Sequence, residues 1–266
     1  MDINREFNLV LSGGGALGYA HVGVIDRLYQ NGLTPVEIVG TSMGAIVGGV
    51  YSLGFSHNKF IEIFDEFSNI FKWLRVSFSN SSIIDSRKIY KILREIFEDR
   101  KLSDTIIPIK IIASNFDTGE IRVFGRDDNI YLRDAILASM SIPAVFRQVR
   151  IENQFYADGY ISANLPINYL SNQDIDTLAV DVMSPNSIDK FEKDYYKFFG
   201  HTKSIIKTLE RTVRLMTINQ TKDAINVYKG KLILIEPNLS HYKTASFHRY
   251  KEIKDIGYNT MVNKIV

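Results

Sequence analysis

The chain has 266 residues, of which 45% are hydrophobic and 23% charged, a composition typical of a globular protein with a large core. It contains no cysteine, which excludes disulfide bonds, thiol catalysis and thiolate metal sites. The net charge of +2 is unevenly distributed, because residues 187–266 hold 15 Lys and Arg against 8 Asp and Glu, so this portion is basic and the rest acidic. A basic portion suits an anionic partner such as a membrane surface or nucleic acid, although a solvated face is the simpler explanation.

The start of the chain is charged and lacks the long apolar segment and small-residue cleavage site of a signal peptide. No run of 18 apolar residues could span a bilayer. We therefore expect a cytoplasmic protein that makes at most peripheral contact with membranes, through its basic C-terminal portion. Internal repeats, low-complexity tracts and an evident linker are all missing, which predicts a single domain over residues 1–266.

The first quarter of the chain alternates between strand and helix signals. Residues 7–11 form an apolar strand that breaks at three glycines, and a helical pattern follows as far as Gly32, which suits a C-cap. Residues 36–39 indicate a second strand and residues 43–53 a helix of small side chains. Strands and helices that alternate at these lengths predict right-handed βαβ units, and hence an α/β fold with a mostly parallel sheet.

An aromatic stripe follows in residues 57–74, with spacings of 4, 3, 4 and 3 residues that define one face of a helix. Its members are Phe60, Phe64, Phe67, Phe71 and Leu74. We expect this face to pack on the body of the protein. A sharper alternative makes it a cap over an apolar substrate groove, with Trp73 at the rim.

The middle of the chain resumes the α/β pattern. Asp85 suits the N-cap of a helix that ends at Phe97, and residues 108–113 indicate a strand to which residues 120–124 pair back. Residues 134–138 lie on a short helix. The last elements are predicted as a hairpin over 149–156, a strand over 178–182, two helices over 188–227, a strand over 232–237 and a helix over 246–264.

The long helical segment carries two distinct faces. Its basic positions share one face: Lys203, Lys207, Arg211 and Arg214. Its apolar positions share another: Ile206, Leu209, Val213 and Met216. The spacing therefore predicts an amphipathic helix with a basic side.

The glycines after the first strand fit the dinucleotide-binding pattern Gly13-x-Gly15-x-x-Gly18. That interpretation needs an acidic residue at the end of the second strand to hold the ribose. Glu37 lies inside that strand instead, and no Gly-Lys-Ser/Thr follows as a Walker loop requires. The sequence therefore disfavours nucleotide binding.

The second strand ends in Gly40-x-Ser42-x-Gly44, and a small-residue helix follows. A strand, a serine corner and a helix are the context of a nucleophile elbow. The glycines let the backbone approach the strained corner, and the start of the helix stabilises negative charge beside Ser42. Together with the free N–H groups of a glycine turn, this pattern predicts a serine acyl hydrolase.

The general base is the next requirement. In α/β-hydrolases the base is a histidine that follows the acid in the chain, but His201, His241 and His248 do not lie in strand-end turns. Asp158, followed by Gly159 where the predicted hairpin ends, is the better candidate. A carboxylate with an ordinary pKa of about 4 is a poor base at neutral pH, so Asp158 needs a desolvated site and a close hydrogen bond to the serine.

Four blocks of the sequence together resemble the patatin-like phospholipases. They are Gly13-Gly14-Gly15-x-x-Gly18, Gly40-x-Ser42-x-Gly44, Ala138-Ser139-Met140-Ser141-Ile142-Pro143, and Asp158-Gly159 followed by Asn164-Leu165-Pro166. The resemblance covers about residues 7–182, and the portion from about 187 to 266 has no recognised motif. Leu17 and Tyr160 depart from residues that are common in the family, and both changes affect only the expected mouth of the pocket.

The resemblance implies a three-layer α/β/α fold and a dyad in which Asp158 takes the proton of Ser42 directly. It further implies an oxyanion hole made of the N–H groups of Gly13, Gly14 and Gly15. The acids and histidines show no metal-ligand spacing, so we expect no metal, and we expect no cofactor. The expected reaction is the hydrolysis of fatty-acyl esters of phospholipids or lysophospholipids through an acyl-enzyme, with no nucleic acid partner. Two alternatives stay open: acyl transfer from the same acyl-enzyme, and a non-catalytic module that binds lipid or a partner.

Overall fold

The computed structural model describes residues 6–79, 86–143, 145–188 and 201–262. The strands are β1 Asn8–Leu11, β2 Glu37–Thr41, β3 Ile109–Asn115, β4 Ile121–Phe124, β5 Val149–Ile151, β6 Gln154–Asp158, β7 Thr177–Val180 and β8 Leu232–Ile235. The helices are α1 Tyr19–Gln30, α2 Met43–Ser52, α3 His57–Ser79, α4 Ser86–Phe97, α5 Leu132–Ser139, α6 His201–Val227 and α7 Tyr250–Val262.

The strands form one mixed sheet in the order β5-β6-β3-β2-β1-β7-β8, with β4 also paired to β3. Strands β3, β2, β1, β7 and β8 run parallel to one another, whereas β4, β5 and β6 add antiparallel pairs at one end. β1, β2 and β7 are buried along their whole length, as expected for central strands covered on both faces. The predicted α/β fold with a mostly parallel sheet is confirmed.

Strand register brings two strand ends together on β3. Thr41, the last residue of β2, pairs with Ile112, and Asp158, the last residue of β6, pairs with Ala113. Because β2 is parallel and β6 antiparallel to β3, their C-terminal ends approach each other from opposite directions. The residue after β2 and the last residue of β6 therefore meet at one point of the sheet.

The C-terminal helix α7 packs directly on α1 through two glycines. A Cβ atom on Gly23 would lie 2.0 Å from the carbonyl oxygen of Lys254, and one on Gly257 would lie 2.0 Å from that of Ala20. Only glycine permits backbones to approach so closely. Lys254 also donates to the carboxylate of Asp26 on α1 at 2.9 Å, so an ion pair adds to the contact between α7 and α1.

The aromatic stripe on α3 packs into the core as the spacing predicts. Phe60, Phe64 and Phe67 are buried, and their successive ring centroids lie 5.0 and 6.0 Å apart. The packing prediction is confirmed for these three residues. The side chains of Phe71, Trp73 and Leu74, the expected cap at Asp85 and the expected first helix within 189–200 lie outside the described residues.

Helix α6 departs from the predicted apolar face at Met216, whereas the side chains of Ile206 and Leu209 lie outside the described residues. Met216 is 65% exposed, whereas Thr217, Ile218 and Thr221 are buried. The buried face is partly polar because α6 lies against the segment that follows β6, whose main-chain groups need hydrogen-bond partners. Across the described residues, every helix is either too short or too polar to cross a bilayer.

Candidate active site

Ser42 occupies the corner between β2 and α2. Its φ of 54° and ψ of −119° place a non-glycine residue in a rarely populated conformation, which persists only where the surroundings impose it. Ser139, at the end of α5, supplies one such constraint, because its Oγ accepts the Ser42 N–H at 2.8 Å. The corner therefore presents the Ser42 hydroxyl at the N-terminus of α2.

The glycines on either side of Ser42 are required by contact with backbone atoms. A Cβ atom on Gly40 would lie 2.7 Å from the carbonyl oxygen of Gly44, and one on Gly44 would lie 2.3 Å from that of Leu11. Neither carbonyl can move without distorting a central strand or the start of α2. The structure thus places both predicted glycines where the elbow has no room for a side chain.

Asp158 contacts Ser42 directly. The Ser42 hydroxyl donates to Asp158 Oδ2 at 2.7 Å, and the backbone N–H of Tyr160 donates to Asp158 Oδ1 at 2.9 Å. The main chain of Asp158 is held as well, because its N–H donates to the carbonyl of Ser141 and its own carbonyl accepts from Ser114 Oγ. Hydrogen bonds therefore hold Asp158 at both carboxylate oxygens and at its main-chain N–H and carbonyl groups.

Burial changes the acid strength of this carboxyl group. Asp158 is 1% exposed and Ser42 is 5% exposed. Burial raises the pKa of Asp158 from 3.8 to about 7, and the hydrogen bonds from Ser42 and from the Tyr160 amide lower the pKa only in part. A carboxylate with a pKa near 7 is both ionised to a useful extent and a competent base at neutral pH.

The glycine turn lies beside the serine. A Cβ atom on Gly13 would lie 3.3 Å from Ser42 Cβ, and the Gly13 N–H donates to the carbonyl of Asn164 at 3.2 Å. Within the described part of the chain, nothing accepts the N–H groups of Gly14 and Gly15. Gly15 has a φ of 55°, a conformation that favours glycine. The turn therefore offers two unpaired amides next to the candidate nucleophile.

His21 contacts the residue before the glycine turn and makes no hydrogen bond to Ser42. Its Nε2 lies 2.8 Å from the carbonyl oxygen of Ser12, and burial lowers the pKa of its imidazole to about 4, so the ring is neutral. Nε2 is then the protonated nitrogen that donates to Ser12. Among the described residues, no histidine hydrogen-bonds to Ser42; the side chain of His201 lies outside them.

The segment after β6 contains contacts that the sequence did not reveal. Thr41 Oγ1 donates to the carbonyl of Ala163 at 2.8 Å, and Gln220 Nε2 on α6 donates to the carbonyl of Ser162 at 2.5 Å. Gln220 lies 58 residues from Ser162 in the chain, so no local pattern could have indicated it. Ser139 belongs to a predicted block, but its hydrogen bond to Ser42 was not anticipated.

These features define the class of the molecule: an α/β protein in which a strained strand-to-helix corner presents a serine to a buried aspartate beside a glycine turn. Within the described ranges, no group of three or more His, Asp or Glu side chains is placed to hold a metal ion. The sequence model for patatin-like phospholipases matches residues 9–171. The chain belongs to the patatin-like phospholipase family.

Curated relatives agree with that assignment. An uncharacterized NTE family protein of Mycobacterium bovis is 34% identical over 184 residues, which cover 65% of this chain and 48% of the relative. Lysophospholipase NTE1 of Saccharomyces cerevisiae is 26% identical over 95% of this chain but only 16% of its own length. The chain thus spans half or less of the length of these relatives.

The structure of VipD from Legionella pneumophila has a similar fold. It superposes with a TM-score of 0.57 over 98% of this chain and 66% of VipD. Sequence identity is only 15%, so this likeness concerns the fold alone. The similarity in fold covers nearly the full length of the chain, whereas the family model matches residues 9–171.

Proposed function

We propose that this chain is a serine acyl hydrolase in which Ser42 is the nucleophile and Asp158 the general base. The observation that carries the proposal is the 2.7 Å hydrogen bond from Ser42 Oγ to Asp158 Oδ2. It lies inside a strained elbow, where an idle serine would have no reason to be held. A nucleophile in hydrogen-bond contact with its base is the arrangement that covalent catalysis requires.

In the first step, ionised Asp158 accepts the hydroxyl proton while Ser42 Oγ attacks the ester carbonyl carbon. The carbonyl π electrons move onto oxygen, and the tetrahedral intermediate collapses to an acyl-enzyme as the alcohol leaves with the proton from Asp158. A water molecule, deprotonated by Asp158 in turn, then releases the fatty acid. The raised pKa of Asp158 supports both proton transfers, because a base with a pKa near 7 also becomes a usable acid once protonated.

Charge on the tetrahedral oxygen is stabilised by the glycine turn. The predicted donors are the amides of Gly13, Gly14 and Gly15, and the last two are unpaired among the described residues. The N-terminus of α2 adds a favourable dipole at the same point. Removing one such donor typically costs about 3 to 4 kcal/mol of transition-state stabilisation.

We infer that the substrates are fatty-acyl esters of phospholipids or lysophospholipids. Family membership and the lysophospholipase name of the yeast relative support this substrate class. Acyl chains of such lipids reside in membranes or micelles, so the enzyme needs peripheral contact with a lipid surface. The excess of Lys and Arg in residues 187–266 makes this portion the candidate for that contact, on the cytoplasmic side of a membrane.

The test is a lipid-hydrolysis panel of phosphatidyl and lysophosphatidyl lipids with wild type, Ser42→Ala and Asp158→Asn. By analogy with serine hydrolases that lose a member of the catalytic unit, both variants should lose at least about 10⁴-fold in turnover. Ser103→Ala and Asp127→Asn change the same residue types at exposed positions and should leave turnover within about twofold of wild type. Wild-type-like turnover in Ser42→Ala overturns the proposal.

A fluorophosphonate probe tests the nucleophile without any choice of substrate. The probe should label wild type at Ser42 and fail to label Ser42→Ala. A folded wild type that remains unlabelled and hydrolyses no lipid indicates a non-catalytic module. Labelling accompanied by acyl transfer to glycerol or a lysolipid, in place of free fatty acid, indicates a transferase.

A further inference from the structure

Asn164 has a side chain that the fold buries without satisfying. The residue is 1% exposed, and neither Oδ1 nor Nδ2 has a hydrogen-bond partner among the described residues. Buried amides almost always find partners, because an unpaired donor or acceptor loses its water without compensation. The Asn164 amide therefore needs a hydrogen-bond partner that the described residues do not supply.

Main-chain hydrogen bonds hold Asn164 between the end of β2, beside Ser42, and the glycine turn. The carbonyl of Ala163 accepts from Thr41, the residue before Ser42, and the carbonyl of Asn164 accepts from the N–H of Gly13. The segment thus bridges the strand that ends at the nucleophile and the turn that carries the predicted oxyanion donors. A side chain held in this way has little freedom to point elsewhere.

The side chain of Asn164 borders the space beside Ser42. Its Oδ1 lies 2.9 Å from the point that a Cβ atom on Gly13 would occupy, and Ser42 Cβ lies 3.3 Å from the same point. The two atoms are therefore within about 6 Å of each other. A half-turn about the last side-chain torsion exchanges Oδ1 and Nδ2, and no protein partner opposes it.

We propose that Asn164 is a catalytic residue whose side-chain N–H donates to the oxyanion formed when Ser42 attacks the ester, an inference that rests on the proposed function. The Gly13 N–H already donates to the main-chain carbonyl of Asn164, so it is not available to the oxyanion. The side-chain N–H of Asn164 supplies a donor in its place. The oxyanion then accepts from Asn164 Nδ2, Gly14 and Gly15. Asn164 keeps its protons throughout, and the proton of Ser42 goes to Asp158 as before.

A competing explanation comes from the other side of the same residue. Asn164 also borders a cleft of about 280 Å³ between its own segment and α6. Thr221 lines that cleft, and its Oγ1 is buried and unpaired as well. If water or a small polar molecule in this cleft satisfies the amide, Asn164 has no part in the reaction.

The test replaces the amide by an apolar side chain of the same shape, in Asn164→Leu. We expect kcat/KM for a p-nitrophenyl ester to fall by about 10² to 10³, almost entirely in kcat, as for loss of an oxyanion-hole side chain elsewhere. The thermal midpoint should stay the same or rise, because the leucine removes a buried unpaired amide. Asn168→Ala, at an exposed position of the same segment, is the matched control and should behave as wild type.

Inhibition by a trifluoromethyl ketone measures the oxyanion directly. The Ser42 hydroxyl adds to its carbonyl carbon, the proton goes to Asp158 and the ketone oxygen becomes the oxyanion. Binding of this inhibitor to Asn164→Leu should weaken by about the same factor as kcat/KM, whereas the corresponding methyl ketone should bind as it does to wild type. If the leucine variant does not fold, Asn164→Ala gives the same readout, since alanine also removes the side-chain N–H and adds no titratable group.

Three results separate the explanations. A kcat/KM within about threefold of wild type in the folded variant overturns the inference. That result favours the explanation that a molecule in the cleft satisfies the Asn164 amide. A joint fall of kcat/KM and of the thermal midpoint, with both ketones weakened alike, assigns Asn164 a structural role and also overturns it. Failure of the proposed function itself looks different, because wild type then neither labels with fluorophosphonate nor turns over.

Discussion

Asp158, the proposed general base, should also make the fold less stable, and Asp158→Asn separates the two effects. An asparagine retains both hydrogen bonds in principle, because its Oδ1 accepts from the Tyr160 amide and its Nδ2 donates to Ser42 Oγ. Shape and packing are unchanged. What the substitution removes is the negative charge from a fully buried position.

The size of the effect follows from proton linkage. The pKa of Asp158 rises from 3.8 to about 7 on folding, so the folded state binds its proton more tightly than the unfolded state. Stability is then lost as pH increases from about 4 to about 7, by up to about 4 kcal/mol at 1.36 kcal/mol per pKa unit. At about 2 °C per kcal/mol for a chain of this size, the variant should melt up to about 8 °C higher than wild type at pH 8.

The assay is the thermal midpoint of both proteins at half-unit steps from pH 4 to pH 9. The difference between them should be near zero at pH 4, where the carboxyl group is protonated in both states, and should grow to a plateau above pH 7. Asp127→Asn, at an exposed site, should show no such growth. A difference that is absent, negative or independent of pH would refute the claim that burial sets the acid strength of Asp158.

Three further outcomes follow from the same geometry. The kcat/KM of wild type should rise about tenfold per pH unit up to about pH 7 and level off above it, since the base must be ionised; a flat profile through pH 5 to 7 contradicts Asp158 as base. Gly44→Ala places a Cβ 2.3 Å from a β1 carbonyl and should abolish fluorophosphonate labelling, whereas Gly125→Ala, with no atom nearer than 3.8 Å, should label normally. Gly257→Ala forces α7 away from α1 and should lower the thermal midpoint by at least about 4 °C, measured by calorimetry against the same control.

The sequence could predict those parts of the site that depend on local backbone geometry. Gly40, Ser42 and Gly44 stand in a pattern whose physical requirement is local, namely a strand end, a strained corner and a helix start within a few residues. The parallel sheet could be predicted in the same way, from apolar runs separated by helical periods. Asp158 was harder, because it lies 116 residues from Ser42; its strand-end turn made it a better candidate than the histidines, and the family resemblance supported that choice.

The rest depends on tertiary placement, which a single sequence does not encode in any short pattern. That the Gly13 amide is paired with Asn164 follows from how the segment after β6 docks, and so does the unpaired Asn164 side chain. The predicted apolar face of α6 is wrong at Met216 for a related reason. Its spacing indicated burial of Met216, but the helix lies on main-chain carbonyls, so a face with Thr217 and Gln220 turns toward the protein.

Gln220 joins α6 to the segment that follows β6, although it lies beyond the residues that the family model matches. Its Nε2 donates to the carbonyls of Ile161 and Ser162, and its Oε1 accepts the N–H of Asn164 at 3.4 Å. The same segment carries the Tyr160 amide that donates to Asp158. Movement of this segment therefore alters the hydrogen bonding of the proposed base.

Gln220→Leu should lower the thermal midpoint by about 2 to 4 °C, since it removes hydrogen bonds worth about 1 kcal/mol each. It should also raise the pH at which kcat/KM reaches half of its plateau, because a longer bond from the Tyr160 amide stabilises the Asp158 carboxylate less. Asn219→Leu, on the exposed side of the same turn of α6, should change neither quantity. If the thermal midpoint falls while the pH profile of kcat/KM stays unchanged, α6 only stabilises the fold. If the profile moves, α6 contributes to the basicity of Asp158 from outside the matched region.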